Sequence, residues 1–122
     1  MSASPPGYPA ASQILIRCQE MFDIVWIQNK IREGRYYFSR HGDQERQNDN
    51  LTVAEVEEAL LTGRVLEQYQ DTGRGKSCLV VGFTERGKPL HMVCGEIADR
   101  VVIITVYIPT PPKFTNPYER GA

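Results

Sequence analysis

An excess of positive charge is missing from this chain. Its 14 Lys and Arg stand against 15 Asp and Glu, a net charge of −1. Capture of nucleic acid by bulk charge is thereby excluded, and any RNA contact must rest on a local patch. Cysteine is sparse as well. Cys18, Cys78 and Cys94 are odd in number and widely spaced, which argues against a disulfide framework and suits a reducing compartment. No apolar run approaches the roughly 18 residues needed to cross a bilayer, and the first eleven residues lack the basic and apolar segments of an export signal. A soluble cytoplasmic protein with no membrane partner is the expectation. Histidine is rarer still, at His41 and His91 only. Neither sits in a C-x-x-C or H-E-x-x-H pattern, so no metal site is expected. Gly73-Arg74-Gly75-Lys76 is not followed by the helix that a phosphate-binding loop requires, so no nucleotide cofactor is expected either.

What is present suits one small domain, since 122 residues is about the length of a single hydrophobic core. Residues 1 to 11, with Pro5, Pro6, Gly7 and Pro9, cannot bury enough apolar surface to order themselves and read as an arm. From Ser12 the apolar spacing becomes helical, with Ile14, Cys18, Met21 and Val25 on one stripe and Ile24, Ile27 and Ile31 beside it. Gly34 is the natural stop, and Asp23 is placed to cap a second piece if the helix breaks. Tyr36 to Phe38 suits a short strand. A polar helix, Arg40 to Asn48, opens at Ser39; it has no apolar stripe and should lie on the surface. Thr52 and Glu55 form a capping box, with Leu51 and Val56 as its hydrophobic staple, and Gly63 ends that helix. Four strand-like runs follow, at 64–69, 77–84, 89–96 and 100–108. Their short connections imply an antiparallel meander. Cys78 and Cys94 fall inside apolar strands and read as packing residues. The tail from Pro109, with Pro111, Pro112 and Pro117, should be extended and exposed, although Phe114 and Tyr118 are able to pin it back.

Several of these segments, taken in order, resemble a known family. They are Ser39-Arg40-His41, Glu45-Arg46, Leu51-Thr52-Val53, Val56-Glu57, Gly63-Arg64-Val65, Ser77-Cys78-Leu79, Gly87-Lys88-Pro89-Leu90-His91, Val93-Cys94-Gly95 and Ile104-Thr105-Val106-Tyr107 with Pro109. The resemblance is to the DUF4258 domains of unknown function and reaches roughly from Met21 to Tyr118. It implies an α+β fold with helices on a four- to five-stranded antiparallel sheet, similar to RelE-type and BrnT-type toxins. It implies a domain over residues 21–108, a Pro-rich tail over 109–122, and residues 1–20 as an arm or extension. It also implies a toxin–antitoxin setting, with RNA or the ribosome as target and a YgiT-type zinc-finger antitoxin as partner. Gln47 departs from the apolar residue that many relatives carry there.

Metal-independent RNA cleavage needs a base for the 2′-hydroxyl, an acid for the leaving oxygen and cations for the phosphate. Both histidines fall within the family motifs, so His41 and His91 are the acid–base candidates, with Tyr107 assisting from the end of a strand. Glu45, one turn after His41, is placed to orient it, and Arg40 and Arg46 are phosphate candidates. Arg74 and Lys76 on the Gly-rich loop are further backbone contacts. Each has a plainer alternative. His41 reads alternatively as a structural partner of Glu45, His91 as a satisfied core histidine, Tyr107 as a packing residue, and the loop cations as solvated. A non-catalytic interaction module that keeps the fold competes with the ribonuclease reading.

Overall fold

The structure, a computed structural model, describes residues 22–70, 75–110 and 114–120. The expected arm, the helical run before Met21, Cys18, and the loop carrying Arg74 lie outside the described residues. Helix α1 (Ile24–Arg32) begins at Asp23, whose side chain accepts from the Val25 amide, and ends before Gly34 at φ +73°. The short strand β1 (Tyr36–Phe38) leads to α2 (Arg40–Asn48), capped by Ser39, and then to α3 (Val53–Leu61). The capping box at the start of α3 is complete, with Thr52 and Glu55 exchanging side-chain and backbone bonds. Strands β2 (Arg64–Tyr69), β3 (Ser77–Phe83), β4 (Pro89–Ile97) and β5 (Arg100–Tyr107) follow as a meander, and β6 (Phe114–Asn116) and β7 (Glu119–Arg120) form a separate small hairpin.

The main sheet has five strands in the order β1-β5-β4-β3-β2. It is α+β, but not purely antiparallel: β1 runs parallel to β5, with Tyr36 opposite Val101 and Phe38 opposite Ile103. The antiparallel expectation came from the short connections between β2 and β5. It fails at β1 because a three-residue strand carries almost no register information and its partner lies more than sixty residues away.

One face of the sheet carries Cys78, Val80, Leu90, Met92, Cys94, Val101, Ile103 and Val106, which pack with Ile27 and Ile31 of α1 and Val56, Ala59 and Leu60 of α3. Burying each of these larger aliphatic side chains stabilises the fold by about 1.5–3 kcal/mol. Helix α3 lies so close to β3 that a Cβ on Gly82 would fall 1.8 Å from the Ala59 carbonyl oxygen, which only glycine permits. Cys78 and Cys94 sit opposite one another in this core. Burial pushes the Cys78 thiol up to about 12 and the Cys94 thiol well above its ordinary value, so neither is a nucleophile at neutral pH.

Residues 91, 93 and 95 of β4 face the other way. Part of that second face is covered by the turn between β6 and β7. Pro117 and Tyr118 contact three strands of the sheet, so the tail is folded back at this point and is not simply extended and exposed. The meander is closed between β4 and β5 by Ala98 and Asp99, both at positive φ (53° and 63°), as a two-residue turn of the primed kind. Asp99 meets Lys30 at 3.0 Å and Arg35 at 3.6 Å, tying this turn to the end of α1.

Candidate functional site at the end of β5

Helix α2 has no apolar stripe, and the structure shows what holds it instead. Ser39 Oγ donates to the Ile104 carbonyl at 3.0 Å and accepts from the Gly42 amide at 3.0 Å. Gly42 rests against β5, where an added Cβ would lie 2.5 Å from the Ile103 carbonyl oxygen. Glu45 Oε1 then accepts the Val106 amide at 3.0 Å. Because β1 pairs only as far as Ile103, the outer edge of β5 beyond that point would otherwise present unpaired backbone groups. A polar helix supplies the partners that a strand would have supplied, so its polarity is structural.

His41, near the start of α2, is open to solvent, with 68% of its side chain exposed. Its Nε2 lies 3.3 Å from Glu45 Oε2. Glu45 therefore bridges an exposed imidazole and the backbone of the residue preceding Tyr107. Arg40, at the first position of the helix, is exposed beside His41. Arg46 is differently placed. Its guanidinium donates to Asp43 at 2.9 and 3.1 Å and to the Leu51 carbonyl at 2.8 Å, and it lies over the Phe38 ring. Those bonds lock α2 to the start of α3 and leave little of it to meet a phosphate.

His91 is fully buried, at 0% exposure. In the β4–β5 register it stands opposite Tyr107, and the two rings meet edge to face with centroids 5.2 Å apart. Its Nδ1 is 3.1 Å from Tyr107 Oη and its Nε2 is 2.6 Å from the Pro117 carbonyl oxygen. A carbonyl only accepts, so Nε2 carries a proton. In the neutral ring Nδ1 then accepts from the Tyr107 hydroxyl. His91 thus holds the Tyr107 hydroxyl and is itself covered by the tail. The structure brings Tyr107 and His91 together, and His41 and Glu45 together, within one residue of each other along β5. It does not present the two imidazoles to solvent side by side.

Lys76 lies elsewhere. It precedes Ser77, which pairs with Gly95, whereas His91 pairs with Val81. Five residues of strand separate Lys76 from Val81, roughly 16 Å at the usual rise, and its Nζ lies 5.5 Å from the Phe22 ring centroid. A polar depression lined by Thr52, Glu55, Glu58, Thr84, Glu85 and Arg86 contains none of the candidate catalytic or phosphate-binding residues named from sequence. Among the described residues, no group of three or more His, Cys, Asp or Glu is placed to hold a metal ion, and no helix is long and apolar enough to cross a membrane.

The sequence did not reveal two participants, because both act through backbone atoms: the Val106 amide and the Pro117 carbonyl. Neither carries a residue-type signal. The aromatic residues Phe114 and Tyr118 were the hint that the tail would return, and Tyr118 makes the contact.

Fold and site together define a small α+β domain in which a polar helix seals the edge of the strand that carries a buried His–Tyr pair. The chain belongs to the family described as domain of unknown function (DUF4258), which matches residues 38–108. That span opens at Phe38 and closes after β5, so it contains His41, Glu45, His91 and Tyr107 but neither α1 nor the C-terminal hairpin. No curated protein and no solved structure matches the chain.

Proposed function

We propose that this chain is an RNA-directed domain of the RelE-like toxin type, working as one half of a toxin–antitoxin pair in the cytoplasm. The observation that carries the reading is the Glu45 bridge, with Oε2 on the exposed His41 and Oε1 on the Val106 amide. An imidazole held by a carboxylate at an accessible helix start is a general-base arrangement, and Arg40 beside it suits a phosphodiester. Tyr107 is the proton donor of the proposal. His91 acts through Tyr107 as a positioning residue, because both its ring nitrogens are engaged. Arg46 has a structural role in this scheme, and Lys76 lies outside it. A YgiT-type zinc-finger protein is the antitoxin the reading calls for.

The deciding experiment is inducible expression of the wild type, His41→Ala and Arg40→Ala while following growth and RNA integrity. Growth arrest with fragmented RNA from the wild type, lost in His41→Ala, is the expected outcome. Normal growth with abundant folded wild type removes the toxin reading.

A second reading has its own support. The complete burial of His91 and the internal use of Arg46 suit a non-catalytic interaction module that keeps the fold. Under that reading, wild type and His41→Ala leave RNA equally intact and both retain a protein partner.

A further inference from the structure

The turn at Pro117–Tyr118 touches the sheet at three points on three adjacent strands. Arg64 of β2 places its guanidinium carbon 4.4 Å from the centre of the Tyr118 ring. Phe83 of β3 lies against the same ring, with centroids 6.2 Å apart and planes at 48°. His91 of β4 donates from Nε2 to the Pro117 carbonyl at 2.6 Å. The sheet therefore offers a cation and an aromatic face for a flat ring, and one fixed N–H for an acceptor oxygen next to it. The tail supplies the ring and the oxygen.

From this arrangement we infer that Arg64, Phe83 and His91 form a nucleotide subsite for single-stranded RNA, which the Pro117–Tyr118 turn fills in the resting protein. The inference rests on the RNA-directed reading and names where on the protein the substrate would be held. A nucleotide brings both features of the turn: a base that stacks on aromatic and guanidinium surfaces, and acceptor oxygens on the base and the sugar. It also brings a phosphate. Arg64 places a positive charge beside the ring, and a nucleotide's phosphate would pair with it. The chain's net charge of −1 leaves stacking as the main source of affinity, and stacking is what this surface provides. Tyr118 is 39% exposed, so its ring covers the subsite without being part of the core. Occupation by an attached turn acts as a high local concentration of competitor, and the free subsite is correspondingly masked. His91 is buried for the same reason: the covering group is the tail carbonyl, on the face away from the helices.

The test uses the full chain and a fluorescein-labelled ten-nucleotide oligouridylate, with anisotropy at low and at moderate salt. Tyr118→Ala vacates the ring position; Tyr118→Leu keeps an apolar contact on Phe83 while removing the aromatic competitor, should the alanine variant lose its fold. Either folded variant is expected to bind the oligonucleotide about tenfold tighter than wild type. Arg64→Ala in the same background is expected to remove about tenfold, the usual size of one stacked base. A folded Tyr118 variant that binds no better than wild type, or a gain indifferent to Arg64, overturns the subsite. A synthetic peptide of residues 114–120 that binds the Tyr118 variants where the oligonucleotide does not also overturns it and assigns the surface to a peptide. Failure here beside His41-dependent growth arrest in cells removes only the subsite. Tight, Arg64-dependent binding without growth arrest removes the toxin reading and leaves the subsite.

Discussion

Glu45 and Val106 are joined by a hydrogen bond of 3.0 Å from the strand amide to the helix carboxylate. That bond closes the part of the β5 edge that β1 does not reach. Glu45→Ala leaves the Val106 amide without its partner in a half-buried setting and is expected to destabilise the fold by about 1–3 kcal/mol. Glu45→Gln keeps an acceptor oxygen for the amide while removing the charge that faces His41, and its cost should stay within about 1 kcal/mol. Urea denaturation of the three proteins measures the difference. If the dyad does chemistry, the glutamine variant separates fold from activity, because it should remain folded and lose growth arrest.

Gly42 is the other device that docks α2. A methyl group there would meet backbone carbonyls of Ile103 and Ile104 at 2.5 and 3.1 Å, and no rotamer change relieves a clash with main chain. Gly42→Ala, despite the higher helix propensity of alanine, is expected to cost about 1–3 kcal/mol. Native-state hydrogen exchange should show the amides of α2 and of Val106 losing protection before those of β3. Unchanged protection at Val106 would mean that the helix docks by some other route.

The two helices with conventional signals, α1 and α3, were legible because the Asp23 cap, the Thr52–Glu55 box and the 3.6-residue apolar spacing are local properties of the chain. Strands β2 to β5 were legible for the same reason, two of their connections being marked by Gly and polar residues and the third, from Glu96 to Arg100, by its shortness. The parallel pairing of β1 was not, since nothing within Tyr36–Phe38 names Ile103 as a neighbour. At the site, the residue types were visible but their use was not. His41 and Glu45 meet because they are four apart on one helix, a relation that sequence spacing contains. His91 meets Tyr107 through strand register, and meets Pro117 through a tail whose prolines argued only against regular structure. Arg46 reads as a phosphate ligand until its bonds to Asp43 and Leu51 are seen.

Glu55 gives the fold a predictable acid limb. The Thr52 amide, and then Lys88, hold its carboxyl below the ordinary value of 4.5. A folded value lower than the unfolded one stabilises the protein fully above pH 4.5, and that contribution is lost as pH falls through the folded value. Glu55→Gln retains an acceptor for the Thr52 amide, so stability at pH 7 should change little while the slope below pH 4.5 becomes shallower. Thr52→Ala removes the other half of the box and should cost about 1 kcal/mol at neutral pH. Thermal melts from pH 3 to pH 7 compare the three.

Ala98 occupies a left-handed backbone position at φ 53° without the glycine or asparagine that such turns favour. A β-carbon in that region costs about 1–2 kcal/mol, and glycine's larger entropy loss on folding returns part of it. Ala98→Gly is therefore expected to stabilise the protein by about 0.5–1 kcal/mol. Asp99, in the same turn, should not be exchanged with it, because its carboxylate holds Lys30 and Arg35. A denaturation midpoint that falls in Ala98→Gly would show that the turn is relaxed by other means.

Tyr107 and His91 make the most direct probe of the covered face. The Pro117 carbonyl requires a proton on His91 Nε2, so the neutral ring receives the Tyr107 hydroxyl at Nδ1. Tyr107→Phe leaves a buried nitrogen lone pair without its donor, and the expected loss is about 1–3 kcal/mol even though the ring packing is unchanged. Long-range nitrogen–proton NMR of the wild type should report the Nε2–H form for His91. In Tyr107→Phe, His91 is expected to keep its bond to Pro117, since that contact lies on the opposite nitrogen. A wild-type spectrum showing the proton on Nδ1 alone would mean that the tail carbonyl does not sit on this ring in solution, and the cover over the sheet would lose its hydrogen bond to His91.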